Sequence, residues 1–187
     1  MLNKSYLQYT FLHRQALIFV IQKHIKDAEL KARLLQRAKW HDLDKAFLYT
    51  KIPKKLASAY HRTHSAHHAD IVNTMSKAYD DLLEAVMDYE CAGYTKADKP
   101  LNAYDTLNTY DFHYKDEMLS ITHDLGIDHS YQNTPDNIEW QKFQKSMPKI
   151  TDEYIINSIH EWLFQFPNTA KEYMDYVDRV RTDEIAL

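Results

Sequence analysis

Apolar residues recur at helical spacing along most of the chain. Between Tyr6 and Ile25 they repeat every three to four positions without an intervening proline or glycine, which predicts a long first helix. Asp27 is placed to cap a second helix that runs to about Trp40, and Pro53 fits the first turn of a later one. The same periodicity predicts further helices over residues 54–62, 70–92, 101–125, 151–166 and 168–180.

The intervening segments carry turn residues rather than strand patterns. Residues 61–68 are predicted to form a turn, residues 96–100 a loop, and residues 127–149 a partly ordered connection. No alternating run of β-branched residues bounded by turn residues occurs. The sequence therefore predicts an all-α fold, a single-domain helical bundle over residues 1–187.

Composition narrows the class of protein. The chain has 187 residues, of which 44% are hydrophobic, enough for one domain with its own core. A formal net charge of −4 gives no basic field, so no nucleic-acid polymer is expected as a partner. Cys91 is the only cysteine and is interpreted as a small buried residue. Because no signal peptide or long apolar run is recognisable, a cytoplasmic protein without membrane contact is expected.

Histidine is the unusual component, and its placement suggests a metal site. The chain contains eleven histidines, most of them in its first 68 residues, and imidazole is a common metal ligand. His41 and Asp42 are adjacent at the predicted end of the second helix, and His13 precedes them on the first helix. Asp88 follows an apolar stretch of a later helix, where a carboxylate is costly unless it is paired or bound to a metal.

The order His13, His41-Asp42, Asp88 resembles the H...HD...D signature of the HD superfamily of metal-dependent phosphohydrolases. The resemblance covers residues 13–88 and implies a helical bundle in which these four residues bind a divalent metal. Lys45 fits the HDxxK form of the signature, which implies that this lysine faces the substrate phosphate. On this basis residues 1–100 are predicted to form an HD-like metal-binding core, and residues 101–187 a helical C-terminal extension packing on it.

Dimetal members of that superfamily carry two extra histidines between the HD pair and the final aspartate. The run from His61 to His68 lies in this interval and offers four candidates, among which the sequence does not choose. The resemblance implies two ions, with Asp42 bridging them. Nitrogen and oxygen ligands without thiolates suit manganese, iron, cobalt, nickel or zinc. The predicted ligand set is His13, His41, Asp42, His61, His67, His68 and Asp88, with His64 as the remaining candidate.

The main functional hypothesis is hydrolysis of a nucleotide or another small phosphoester, with Asp42 and Lys45 as the catalytic residues. Glu84 is a candidate to orient a ligating histidine, and Arg62 and Lys96 are further candidates to bind phosphate. Two alternatives stay open. One is a mixed-valent di-iron oxygenase of the same superfamily, and the other is a non-catalytic metal- or nucleotide-binding module. The oligomeric state is not predicted.

Overall fold

A computed structural model describes residues 4–96, 102–130 and 137–182 of the chain. Within these ranges the regular elements are helices, with one isolated antiparallel bridge between Asp70 and Phe112 and no strand. The all-α prediction is confirmed. The helices are α1 Lys4–His24, α2 Ala28–Ala38, α3 Leu43–Tyr49, α4 Lys54–His64, α5 Tyr79–Thr95, α6 Ala103–Thr109, α7 Lys115–Asp124, α8 Asn137–Ser146, α9 Asp152–Gln165 and α10 Pro167–Arg181.

Several helix boundaries follow the capping signals in the sequence. Asp27 accepts a hydrogen bond from the backbone N–H of Leu30 at 2.7 Å and so caps α2. Thr151 caps α9 in the same way through Tyr154, at 3.1 Å. Pro167 is the first residue of α10. Proline has no backbone N–H, but at this position an N–H would have no acceptor within the helix, so nothing is lost.

The prediction that α5 begins at Asp70 is wrong, since the helix begins at Tyr79. The reason lies in the buried side chain of Asn73. Its amide nitrogen donates to the carbonyl oxygens of Arg62 at 2.8 Å and Ser65 at 2.9 Å. Its amide oxygen also accepts from the backbone N–H of Met75 at 3.0 Å. Side-chain bonds to the local backbone compete with helical bonds, so the segment forms an irregular loop.

Other helices also differ from the sequence prediction. The predicted helix over residues 101–125 is two helices, α6 and α7, and Tyr114 between them adopts a left-handed φ of 60°. The short helix α3 was not predicted, and α8 forms within the segment expected to be partly ordered. Of the predicted loop over residues 96–100, positions 97–100 lie outside the described residues.

Residue contacts divide the chain into two compact units. The first unit comprises Met1–Phe11, Trp40–His61 and Lys149–Leu187. In this unit α3 packs against α9 and α10. Its core includes the buried side chains of Phe11, Leu43, Phe47, Trp162 and Tyr173. These contacts hold α3, which follows the His41-Asp42 pair directly, against the two C-terminal helices.

The second unit comprises Leu12–Lys39 and Arg62–Pro148. In this unit α5 packs against α2, α6 and α7. Buried side chains from these helices and from α1 form its core, among them Leu17, Ile21, Leu34, Leu83, Met87, Leu107 and Met118. The core surrounds α5, on which Glu84 and Asp88 are also buried.

The predicted subdivision at residue 100 falls inside the second unit, and the predicted extension over residues 101–187 supplies residues to both units. A single domain with a metal-binding core over residues 1–100 stays a prediction. In the part of the chain that the structure describes, no helix is both long and apolar enough to cross a membrane.

His24, the last residue of α1, makes the stability of the protein depend on pH. Burial, followed by the nearby charges of Lys23, Lys26 and His129, lowers the pKa of His24 to about 4. The ordinary pKa of histidine is about 6.5, so the unfolded chain binds more protons between these two values. His24 therefore contributes stability that is present above pH 6.5 and is lost as the pH falls toward 4.

Replacing this histidine is expected to flatten the pH dependence. Between pH 6.5 and 4.5, the urea midpoint of a His24→Gln variant should fall less than that of the wild type. A His160→Asn variant, altered at an exposed position, should behave like the wild type. Equal losses of stability in His24→Gln and wild-type protein would contradict this assignment.

Candidate functional site

The His41-Asp42 pair lies in the turn between α2 and α3, where Asp42 adopts an uncommon backbone conformation. Its φ is 59° and its ψ is 9°, in the left-handed region that few residues other than glycine occupy. Asp42 is the N-cap residue of α3, yet its side chain makes no capping hydrogen bond. An aspartate at this position ordinarily caps the helix. Here its carboxylate has other partners.

Those partners are all groups that can carry positive charge. Oδ1 of Asp42 lies 2.8 Å from Nε2 of His61 and 3.8 Å from Nε2 of His41. Oδ2 accepts a hydrogen bond from Nζ of Lys45 at 2.8 Å. Burial alone would raise the pKa of Asp42, which is only 3% exposed, but Lys45, His41 and His61 outweigh it and hold the pKa well below its usual range. Asp42 is therefore ionised, as a metal ligand must be.

His61 on α4 is fully buried between two carboxylates. Its Nε2 faces Asp42, while its Nδ1 lies 2.7 Å from Oδ2 of Asp44. Burial would lower the pKa of His61, but Asp44 and Asp42 outweigh that effect and raise it. Metal-ligating histidines characteristically donate their second ring N–H to an outer carboxylate. The Asp44-His61-Asp42 arrangement has the same form.

Sequence reasoning missed Asp44 as part of the site. An aspartate in the first turn of a helix is common, because the helix dipole favours negative charge there. Burial would raise the pKa of Asp44, but His61 and a hydrogen bond from Tyr173 outweigh it and keep the pKa below its usual range. The hydroxyl of Tyr173, on α10, donates to Oδ2 of Asp44 at 2.6 Å. A tyrosine 129 positions away has no signal in the sequence that would link it to Asp44.

In the second unit, His13 and Asp88 meet as a buried pair. Nε2 of His13 lies 2.5 Å from Oδ1 of Asp88, across 75 positions of sequence. Cys91 lies beside them, with Sγ 3.4 Å from Nδ1 of His13, and its thiol donates to the carbonyl oxygen of Asp88 at 3.1 Å. His13, Asp88 and Cys91 offer ligand atoms within 4.8 Å of one another. Cys91 is buried, as expected, but its position beside two predicted ligands was not foreseen.

The histidine run does not place its members in equivalent environments. His61 and His67 are buried, His68 is half-buried and His64 is exposed beside the hydroxyl of Thr63. The rings of His67 and His68 are adjacent, with centroids 4.7 Å apart.

The carboxylate of Glu84 lies between His67 and the half-buried Arg37. Its Oε1 lies 3.9 Å from Nδ1 of His67, an ion-pair distance rather than a hydrogen bond. Its Oε2 accepts from Nε of Arg37 at 2.6 Å, and Nη2 of the same arginine donates to Asp81. These charge-assisted bonds fix α5 against α2 on the turn of α5 that faces His67.

The other predicted phosphate-binding candidates have different surroundings. Arg62 lies on α4 and pairs with Asp70 at 2.7 Å. Lys96 is exposed at the C-terminal cap of α5. Lys45 is the candidate whose ammonium group lies against a predicted metal ligand.

Within the described residues, buried histidine and carboxylate groups could therefore hold a metal ion. The identity and number of ions are not defined by these groups. Comparisons of the chain with models of protein families, with curated proteins and with solved structures found no match.

The metal-binding role of Asp42 is tested by replacing it with asparagine. Asparagine tolerates the left-handed backbone conformation, so the variant removes the charge while preserving the turn. Adding zinc should raise the melting temperature of the wild type, because binding to the folded state stabilises it, and should raise that of Asp42→Asn little or not at all. Asp152→Asn, which alters an exposed aspartate of the first unit, is the matched control. An undiminished response of Asp42→Asn to zinc would exclude Asp42 as a ligand.

Proposed function

We propose that this chain is a divalent-metal-dependent phosphohydrolase that acts on a nucleotide or another small phosphoester. One observation carries the proposal: a buried, ionised Asp42 contacts an imidazole nitrogen through one oxygen and the Lys45 ammonium through the other. The carboxylate of Asp42 is thus a possible metal ligand, and it also holds an ammonium group that suits a phosphoryl oxygen. The order of the predicted ligands, which resembles the HD signature, supports the same reading.

The donor atoms fit a divalent metal of intermediate hardness. Asp42 supplies a carboxylate oxygen, and His61 and His41 supply imidazole nitrogens, which suits manganese, iron, cobalt, nickel or zinc. In the second unit, His13 and Asp88 supply the same two types of donor. His67 and His68 complete the proposed ligand set. The resemblance predicts two ions per chain, a number that metal analysis of the loaded protein measures directly.

A bound divalent metal would act as a Lewis acid and lower the pKa of its water ligand toward neutrality. The chain's own residues have separate roles. Asp42 and His61 would hold the ion, and Asp42 also accepts a hydrogen bond from the ammonium of Lys45 at 2.8 Å. An ammonium group has three N–H donors, so a hydrogen bond to Asp42 leaves it able to donate to a phosphoryl oxygen as well. The Lys45 side chain is 22% exposed, which gives it access to a ligand from solvent.

Charge balance explains why such a site would need its metal in order to bind substrate. Asp42 and Asp44 are both buried carboxylates close to His61, and the ammonium of Lys45 contacts Asp42. A phosphoester brings further negative charge, which two carboxylates repel at short range. The metal offsets that repulsion, so phosphate analogues are expected to bind to the metal-loaded protein and not to the metal-free protein.

Replacing Lys45 tests the hydrolase assignment. A Lys45→Ala variant should keep its metal, because lysine is not a ligand, and should lose about 100- to 1,000-fold in kcat, the usual effect of removing one donor to developing negative charge. The measurement is phosphate release by metal-loaded protein against a panel of nucleotides and phosphoesters. Lys55→Ala, at an exposed position of α4, is the matched control and should leave the rate unchanged.

The same panel separates the two alternative functions. Absence of turnover with every divalent metal, at full occupancy, would exclude the hydrolase. Retained iron together with an electron paramagnetic resonance signal in the half-reduced state would then indicate a di-iron oxygenase. Tight nucleotide binding without turnover would indicate a non-catalytic binding module.

A further inference from the structure

The carboxylate of Asp44 joins a proposed metal ligand to the C-terminal helix. Its Oδ2 lies 2.7 Å from Nδ1 of His61 and accepts a hydrogen bond from the hydroxyl of Tyr173 at 2.6 Å. All three side chains are buried, and His61 has no solvent-exposed surface. One carboxylate oxygen thus receives two hydrogen bonds, from α4 and from α10, within the first unit.

The chemistry of imidazole gives this arrangement a specific consequence. A histidine binds a metal through an unprotonated nitrogen, so a metal at Nε2 requires the ring proton to be on Nδ1. An ionised carboxylate only accepts hydrogen bonds, and Asp44 beside Nδ1 therefore favours the Nδ1–H tautomer. Nε2 then faces Asp42, 2.8 Å from its Oδ1, and a metal bound there would take the place of a proton on Nε2.

Tyr173 fixes the carboxylate itself. A hydroxyl can donate or accept, but next to a carboxylate oxygen it must donate. The ring of Tyr173 makes edge contacts with Trp162 and Tyr60, with centroids 5.7 Å and 5.0 Å away. These contacts hold the hydroxyl in place, so the position of Asp44 depends on packing in α9 and α10 as well as on α3.

We propose that Asp44 and Tyr173 are positioning residues, which fix His61 in the orientation and tautomer that bind a divalent metal through Nε2. This inference rests on the proposed metal site, and it extends that site to a residue of the C-terminal segment. Residues 149–182 then do more than pack against other helices, because Tyr173 acts on a metal ligand through Asp44.

Variants of Asp44 and Tyr173 test the inference through zinc affinity, measured by competition with a chromophoric chelator. Asp44→Asn should weaken zinc binding about 10- to 100-fold, the range typical for loss of an outer carboxylate. Tyr173→Phe should weaken it less, about 3- to 10-fold, because it removes one hydrogen bond and leaves the carboxylate. Tyr176→Phe is the matched control: Tyr176 is on the same helix and stacks on Tyr60, but its hydroxyl donates to Leu56 and not to Asp44.

A second measurement separates positioning from general stabilisation. Long-range proton–nitrogen NMR of the zinc-loaded wild type should show His61 with its proton on Nδ1 and zinc on Nε2. In the variants, the melting temperature of the metal-free protein reports any purely structural role. If Asp44 and Tyr173 position His61, their variants should lose more zinc affinity than the drop in metal-free melting temperature alone would cause.

The possible failures are distinguishable. If the wild type binds no zinc, the proposed metal site is wrong and the inference falls with it. If the wild type binds zinc and Asp42→Asn does not, the metal site stands. If Asp44→Asn and Tyr173→Phe then bind zinc as tightly as Tyr176→Phe does, the positioning role is overturned. If Asp44→Asn does not fold, the zinc affinity of Tyr173→Phe and the tautomer of His61 in the wild type test the inference instead. A proton on Nε2 of zinc-loaded His61 would refute it.

Discussion

The burial of the Asp42 charge is the constraint on which the rest of the site depends. An ionised carboxylate removed from water costs several kcal/mol unless nearby groups compensate it. Lys45, His41 and His61 provide that compensation, and their combined effect keeps Asp42 ionised despite its burial. The left-handed backbone at Asp42 adds a further cost, of order 1–3 kcal/mol for a residue other than glycine. A conformation that is unfavourable in two respects persists because the surrounding helices hold it.

Those helices are anchored by contacts remote from the carboxylate. In the first unit, α3 packs against α9 and α10, and Tyr173 extends this packing to Asp44 and hence to His61. In the second unit, Arg37 binds Glu84 and Asp81 and so secures α5, which carries Asp88. Each unit thus holds an imidazole against a carboxylate within a buried setting: His61 with Asp42 and Asp44 in the first, and His13 with Asp88 in the second. Imidazole nitrogens and carboxylate oxygens are both ligand types that divalent metals such as zinc and manganese accept.

The sequence predicted the parts of the structure that local patterns encode. Helical periodicity predicted the all-α class, and capping residues such as Asp27 and Thr151 located helix starts. The order of His13 and Asp88 suggested that they share a site, and the structure does bring their side chains together. The start of α5 was misjudged because the buried side chain of Asn73 bonds to the backbone of Arg62, Ser65 and Met75, contacts that a periodicity argument does not detect.

Asp44 and Tyr173 were missed for a different reason, because their roles depend on tertiary contacts. Asp44 has the sequence position of an ordinary first-turn acid, and only its burial beside His61 distinguishes it. Tyr173 is one of fourteen tyrosines, and its contact with Asp44 exists only after α10 has packed on α3. Anomalous diffraction from crystals of the wild-type protein grown with zinc would locate the metal and so test the proposed site. We expect a zinc peak about 2.0–2.2 Å from a carboxylate oxygen of Asp42 and from Nε2 of His61. A saturated protein with zinc bound elsewhere, and His61 still in direct contact with Asp42, would contradict it.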